Sequence, residues 1–230
     1  MKKFVIMFGA AAAVCTSPAF ADEACPAGDD YTLAIHGGAG VILKSEMDSD
    51  TETAYRTSIM KALSVGDHML KNGRSALDVV EAVIIRFEND PKFNAGKGAV
   101  FSAAGENELD AAIMDGRDRD AGTIAGVKTV KNPIKLARAV MEKSKHVMLQ
   151  SSGAESFAAE NGLEIVEPEY FYTERRWKQM EKKRAKQEGR NIQFTDAPET
   201  KFGTGGAVVR DGCGNLAAGT STGGLTAKKW

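Results

Sequence analysis

The chain has 230 residues, 43% of them hydrophobic and 27% charged, with a formal net charge of -1. That balance fits one globular unit with a real core and excludes a disordered or strongly polyionic chain. Apart from one stretch near residue 180, Lys and Arg are scattered, so no nucleic-acid partner is expected.

The first 21 residues read as a processing segment. Lys2 and Lys3 form a charged start, an apolar run follows over 4–14, and Ala19-Phe20-Ala21 is a small-x-small cleavage site. The run is too short to span a bilayer. The expectation is a signal peptide over 1–21, a mature chain from near Asp22, export to a periplasm or the exterior, and no membrane attachment after removal. Cys15 leaves with this segment. In an oxidising compartment Cys25 and Cys213 could pair, but two cysteines define no framework, and two separate thiols remain equally open. No Cys/His cluster has zinc spacing.

Residues 32–35 form a short apolar strand running into His36-Gly37-Gly38-Ala39-Gly40. Tyr55, Ile59, Leu63 and Leu70 recur at helical spacing over 51–72, ended by Gly73. Ser75 reads as the N-cap of a second helix reaching Asn89, with Pro91 beyond it as a stop. Glycine-dotted sequence then carries two strands, 109–114 and 123–129. Asn132-Pro133 opens a third helix to about Lys143, with proline at the first helical position. A short strand over 147–149 and a helix over 152–161, closed by Gly162, follow. The charged run 173–189 reads as a solvated helix. Residues 195–199 read as a linker. The segments 207–209 and 216–219, flanking Asp211-Gly212-Cys213-Gly214-Asn215, read as a hairpin. Helices clustered around strands indicate a layered α+β fold, and the hairpin excludes a purely parallel sheet.

Chemistry concentrates at the end of the chain. Thr204 follows a polar linker and a glycine and opens a strand. A hydroxyl is a poor nucleophile until a base takes its proton. Cleavage before Thr204 would create that base on the same residue, an α-amine with a reference pKa of roughly 7.7–8.0. Gly203 has no side chain to obstruct attack on its own carbonyl. Along a strand side chains alternate, so Thr220 and Thr222 share one face and Ser221 the other.

Five segments in order carry a family resemblance: residues 34–40; Phe93-Asn94-Ala95-Gly96-Lys97-Gly98 with 99–101; Glu108-Leu109-Asp110-Ala111 with Met114-Asp115-Gly116; Ala125-Gly126-Val127 with Asn132-Pro133; and 203–224. Together they resemble the plant-type asparaginase and isoaspartyl aminopeptidase family of N-terminal-nucleophile hydrolases. The resemblance implies a four-layer αββα sandwich, made as a precursor and cut between Gly203 and Thr204. Residues 22–203 would then form the α subunit and 204–230 the start of the β subunit. It implies Thr204 as nucleophile, Thr222 as the hydroxyl that tunes its proton, and Asn94 as a substrate-positioning residue. It also implies a structural sodium ion wrapped by the main-chain carbonyls of Phe87, Glu88, Asp90, Phe93, Ala95 and Lys97, and no organic cofactor. The glycine-rich segment from His36 would be a packing element under the nucleophile strand.

The implied substrate is L-asparagine or an N-terminal isoaspartyl dipeptide, and the implied assembly a dimer of αβ units. A glycosylasparaginase-like amidase is the alternative enzyme. Two departures from the family pattern stand out. Gly205 occupies a position that is usually apolar. The Arg-x-x-Asp and Thr-Gly elements that grip substrate in the family would fall beyond Trp230, so the expectation is a piece of a longer product or a truncated, non-catalytic form.

Overall fold

The computed structural model describes residues 24–38, 47–189 and 204–229. The expected signal segment, the Ala39-Gly40 end of the glycine-rich motif, the expected 195–199 linker, Gly203 and Trp230 lie outside the described residues. In chain order the elements are β1 (Thr32–His36), α1 (Ser49–Lys71), α2 (Ala76–Glu88), β2 (Leu109–Asp115), β3 (Ala121–Val127), α3 (Pro133–Lys143), β4 (Met148–Gln150), α4 (Ser151–Glu160), α5 (Glu174–Gln187), β5 (Gly205–Arg210) and β6 (Leu216–Thr222).

The helix starts follow from their caps. Asp48 accepts the Thr51 N–H at 2.7 Å and Ser75 accepts that of Asp78 at 3.3 Å, each using a donor left orphaned in a first turn. Strands join in one six-stranded sheet in the order β1-β5-β6-β2-β3-β4. Every pairing is antiparallel except β3 with β4. The sheet is therefore mixed, as the hairpin required.

Period-two alternation divides the sheet into two faces. On one face lie Leu33, Ala207, Val209, Ala217, Ala111, Ile113 and Ile124, which join α2 and α3 in a single core with Val79, Val80, Val83, Ile84, Phe87, Ile134 and Val140. Glycines let the helices approach closely: a Cβ on Gly219 would sit 2.7 Å from Val80, and one on Gly122 would sit 2.0 Å from the Ala137 carbonyl. The other face carries Ala34, Val208, Ala218 and Met114 in register with one another, and Val208 and Met114 are exposed. Among the described residues the fold thus supplies two layers, helix over sheet.

Two details differ from the sequence reading, and one alternative it left open is decided. Strand β6 runs on to Thr222, three residues past the expected end, because β2 offers partners as far as Asp110. Helix α5 is not simply solvated: Arg176, Met180 and Ala185 are buried, and Met180 packs with Phe101, Trp177 and Ala227 in a small second core. Finally, Cys25 and Cys213 form a disulfide, with Cα atoms 5.2 Å apart. It ties the segment before β1 to the β5–β6 turn, where fully buried Asp211 accepts the N–H groups of Cys213, Asn215 and Ala76. No described helix is long and apolar enough to cross a membrane.

Candidate active site

Thr204 immediately precedes β5, and Thr222 closes the neighbouring strand β6, opposite Asp110 of β2. Pairing of Gly205 with Ser221 brings the start of one strand beside the end of the other. The Thr204 hydroxyl donates to Thr222 Oγ1 at 3.1 Å, and the Gly224 N–H donates to the same oxygen at 3.0 Å. Thr222 Oγ1 is thus held on one side by backbone and meets the Thr204 hydroxyl on the other. Both side chains are half-buried.

Asn94 is 5% exposed and is occupied as a brace. Its amide nitrogen donates to the Gly224 carbonyl at 2.8 Å, its amide oxygen accepts the Val100 N–H at 2.9 Å, and its own carbonyl accepts the Gly223 N–H. The turn after Thr222 is therefore fastened to the Asn-Ala-Gly loop. Gly223 has no room for a side chain, since a Cβ would lie 2.6 Å from Asn94 Oδ1.

Thr220 lies on the face of Thr222, in line with Gly206 and with Ala112. Ser221 faces the helices, as the alternation required. His36 pairs with Gly206, and a Cβ there would fall 2.3 Å from its Nε2, so the imidazole packs over β5.

Behind Ser221 sits a side chain whose role the sequence did not disclose. Glu88 is completely buried at the end of α2, accepting the Ile134 N–H at 2.8 Å and the Asn132 amide at 3.1 Å. Its carboxyl caps the first turn of α3 and joins two helices under the site. Ser221 Oγ lies near that carboxyl but outside hydrogen-bonding geometry. Burial pushes the Glu88 carboxyl up to about 7, against the lowering pull of its hydrogen-bond donors. A usable signal existed, because Glu88 falls four residues after Ile84 on an otherwise apolar helical stripe.

In the loop that follows α2, two glycines lie against main-chain carbonyls. At Gly96, with φ +50°, a Cβ would lie 2.4 Å from the Glu88 carbonyl, and at Gly98 one would lie 2.0 Å from that of Phe93. Two arginines of α5 grip the same loop. Arg175 donates to the carbonyls of Pro91 at 3.0 Å and Lys92 at 2.9 Å, and Arg176 Nε donates to that of Gly98 at 2.7 Å. Burial, with Arg175 alongside, lowers the Arg176 guanidinium to about 9.

Two threonine hydroxyls meet where the antiparallel strands β5 and β6 begin and end, one of them just before a strand start, an arrangement able to support hydroxyl-nucleophile chemistry. Comparison with known proteins narrows the class. A family model described as asparaginase matches residues 29–230, and the chain belongs to that family. It is 43% identical over 227 residues to a putative isoaspartyl peptidase/L-asparaginase of Dictyostelium discoideum, covering 85% of this chain and 65% of the relative. It is 46% identical over 199 residues to the isoaspartyl peptidase of Salmonella typhimurium, covering 85% and 63%. The isoaspartyl peptidase/L-asparaginase of Homo sapiens is 43% identical over 197 residues, covering 85% and 61%. The chain thus spans somewhat less than two thirds of the length of these relatives.

Proposed function

We propose that this chain is the nucleophile-bearing part of a self-processing amidohydrolase that cleaves L-asparagine and N-terminal isoaspartyl dipeptides. The 3.1 Å contact between the Thr204 and Thr222 hydroxyls carries this reading, and relatives named isoaspartyl peptidase support the substrate class. In the precursor the Thr204 hydroxyl attacks the Gly203 carbonyl. The peptide bond is exchanged for an ester, and water then releases the Gly203 carboxylate and a free Thr204 α-amine.

That amine accepts the hydroxyl proton as Thr204 Oγ1 attacks the β-carbonyl carbon of the substrate. The C–N bond breaks, the leaving amine or ammonia departs with the proton, and water hydrolyses the acyl ester back to the free threonine. Throughout, Thr222 Oγ1 keeps the nucleophile oriented. Asn94 contributes by holding the Gly223–Gly224 turn, and in this reading its second amide hydrogen would meet the substrate.

A sodium ion wrapped by the carbonyls of Phe87, Glu88, Asp90, Phe93, Ala95 and Lys97 is part of the same reading. The close approach of Gly96 and Gly98 to the Glu88 and Phe93 carbonyls fits such a cradle, because any side chain there would fill it. Oxygen donors of this type suit a hard cation. Phe87 is the weakest of the six, since its carbonyl already accepts from both Asn89 and Asp90, whereas those of Asp90 and Ala95 accept one N–H each, from Phe93 and Gly98. The ion would stiffen the loop that presents Asn94. Signal-directed export agrees with the Cys25–Cys213 disulfide, which needs an oxidising compartment. Pairing of two αβ units follows the family pattern.

The test is reducing gel electrophoresis with mass analysis of the purified chain. The expected result is two fragments, one ending at Gly203 and one beginning at Thr204, with Thr204→Ala leaving a single chain. An uncut wild-type chain, or cutting that persists in Thr204→Ala, overturns the proposal.

A further inference from the structure

Lys228 lies six residues beyond Thr222, where a lysine would ordinarily be read as surface charge. Its side chain is only 17% exposed and turns back towards the site. The ammonium donates to the carbonyls of Gly223 at 3.1 Å and Glu108 at 3.0 Å. The carboxylates of Glu108 and Asp110 stand 3.6 and 4.0 Å away. One of the two carbonyls immediately follows β6 and the other immediately precedes β2, so the lysine closes the end of that strand pair.

Its stem also covers Gly224, where a Cβ would meet Lys228 Cδ at 3.2 Å. Gly224 takes φ +74° there, a backbone state suited to glycine, and it is the residue whose N–H fixes Thr222 Oγ1. Backbone bonds dock the rest of the segment: Ala227 N–H donates to Phe101, and Ala103 N–H donates to Lys228.

We propose that Lys228 is a positioning residue whose ammonium locks the Gly223–Gly224 turn to β2 and so aims the Thr222 hydroxyl at Thr204. Asn94 holds the turn from one side and Lys228 from the other. A compact, three-donor ammonium suits two carbonyls and two carboxylates at different angles better than an apolar side chain of the same length. The proposal rests on Thr204 being the self-cleaving residue.

The full chain is prepared as wild type, Lys228→Met, Lys228→Arg, Thr222→Val, the Lys228→Met/Thr222→Val pair and Thr204→Ala. Cleavage is timed on reducing gels, and folding is checked by thermal melting. Lys228→Met is expected to slow cleavage about 10-fold or more, the scale of a lost charge-assisted hydrogen bond. Lys228→Arg restores most of the rate. The double variant is no slower than Thr222→Val alone, because Lys228 acts through Thr222.

Wild-type cleavage by Lys228→Met, or a loss that multiplies with that of Thr222→Val, overturns the assignment. Failure of the self-cleavage reading appears separately, as an uncut wild type. In that case hydrogen exchange of the peptide spanning 222–229 still decides: faster exchange in Lys228→Met than in wild type supports the lock, and equal exchange refutes it.

Discussion

Replacing Cys213 with serine tests the disulfide and the cleavage reading together. The bridge joins positions 188 residues apart. Closing a loop of that length removes denatured-state entropy equivalent to about 5 kcal/mol at 25 °C. In the Thr204→Ala background, where the chain stays whole, Cys213→Ser should therefore lower the melting temperature by about 10–20 °C for a chain of this size. With Thr204 present the meaning of the bridge changes, because Cys25 and Cys213 lie on opposite sides of Gly203. After cutting, the disulfide no longer closes a loop but joins two separate polypeptides. Wild-type protein should run as one species on a non-reducing gel and as two after reduction. Its melting temperature in reductant should fall on dilution, since the fragments can then part. A Thr204→Ala protein whose melting point shifts by less than about 2 °C with Cys213→Ser would refute the loop-entropy reasoning. Two bands without reductant would refute the covalent link.

Asn94→Ala removes the bonds to Gly224 and Val100 and should cost about 2–4 kcal/mol in a urea melt. It should also slow cleavage, whereas a residue that only touched substrate would change KM and leave stability alone. Gly205→Val places new atoms against Phe87, since a Cβ at Gly205 already falls 2.8 Å from the Phe87 side chain. Overpacking of this kind should destabilise by about 1–3 kcal/mol despite the better strand propensity of valine, and a more stable Gly205→Val protein in the same assay would show that the helix yields.

Most of the secondary structure was legible in the sequence, because caps and periodicity act locally. Asn132-Pro133, Ser75 and the alternation through Thr220-Ser221-Thr222 each carry their structural consequence in a few adjacent residues. What escaped was long-range. Strand β6 reaches Thr222 because Asp110, distant in sequence, is there to pair with it. Gly205, read only as a departure from the family pattern, leaves room that the Phe87 side chain occupies. Two cysteines could not announce their pairing. Arg176 read as a solvated charge and Lys228 drew no reading, because their partners are mainly carbonyl oxygens, which every residue has and no composition reveals.

Contacts that end on main-chain oxygens leave the loop ahead of β2 room to change in sequence. The side-chain bonds from Arg175 and Arg176 to residues 91–98 end on main-chain oxygens, so helix α5 recognises the path of the loop and not its letters. Lys92 or Lys97 could be exchanged for many other side chains without altering what the arginines hold. Gly98 could not, because its missing side chain is the space through which the Phe93 and Pro91 carbonyls pass. The geometry beneath Asn94 is thus insulated from sequence drift at most of its own positions and exposed to it at two glycines, Gly96 and Gly98, and at two arginines nearly eighty residues beyond Gly98.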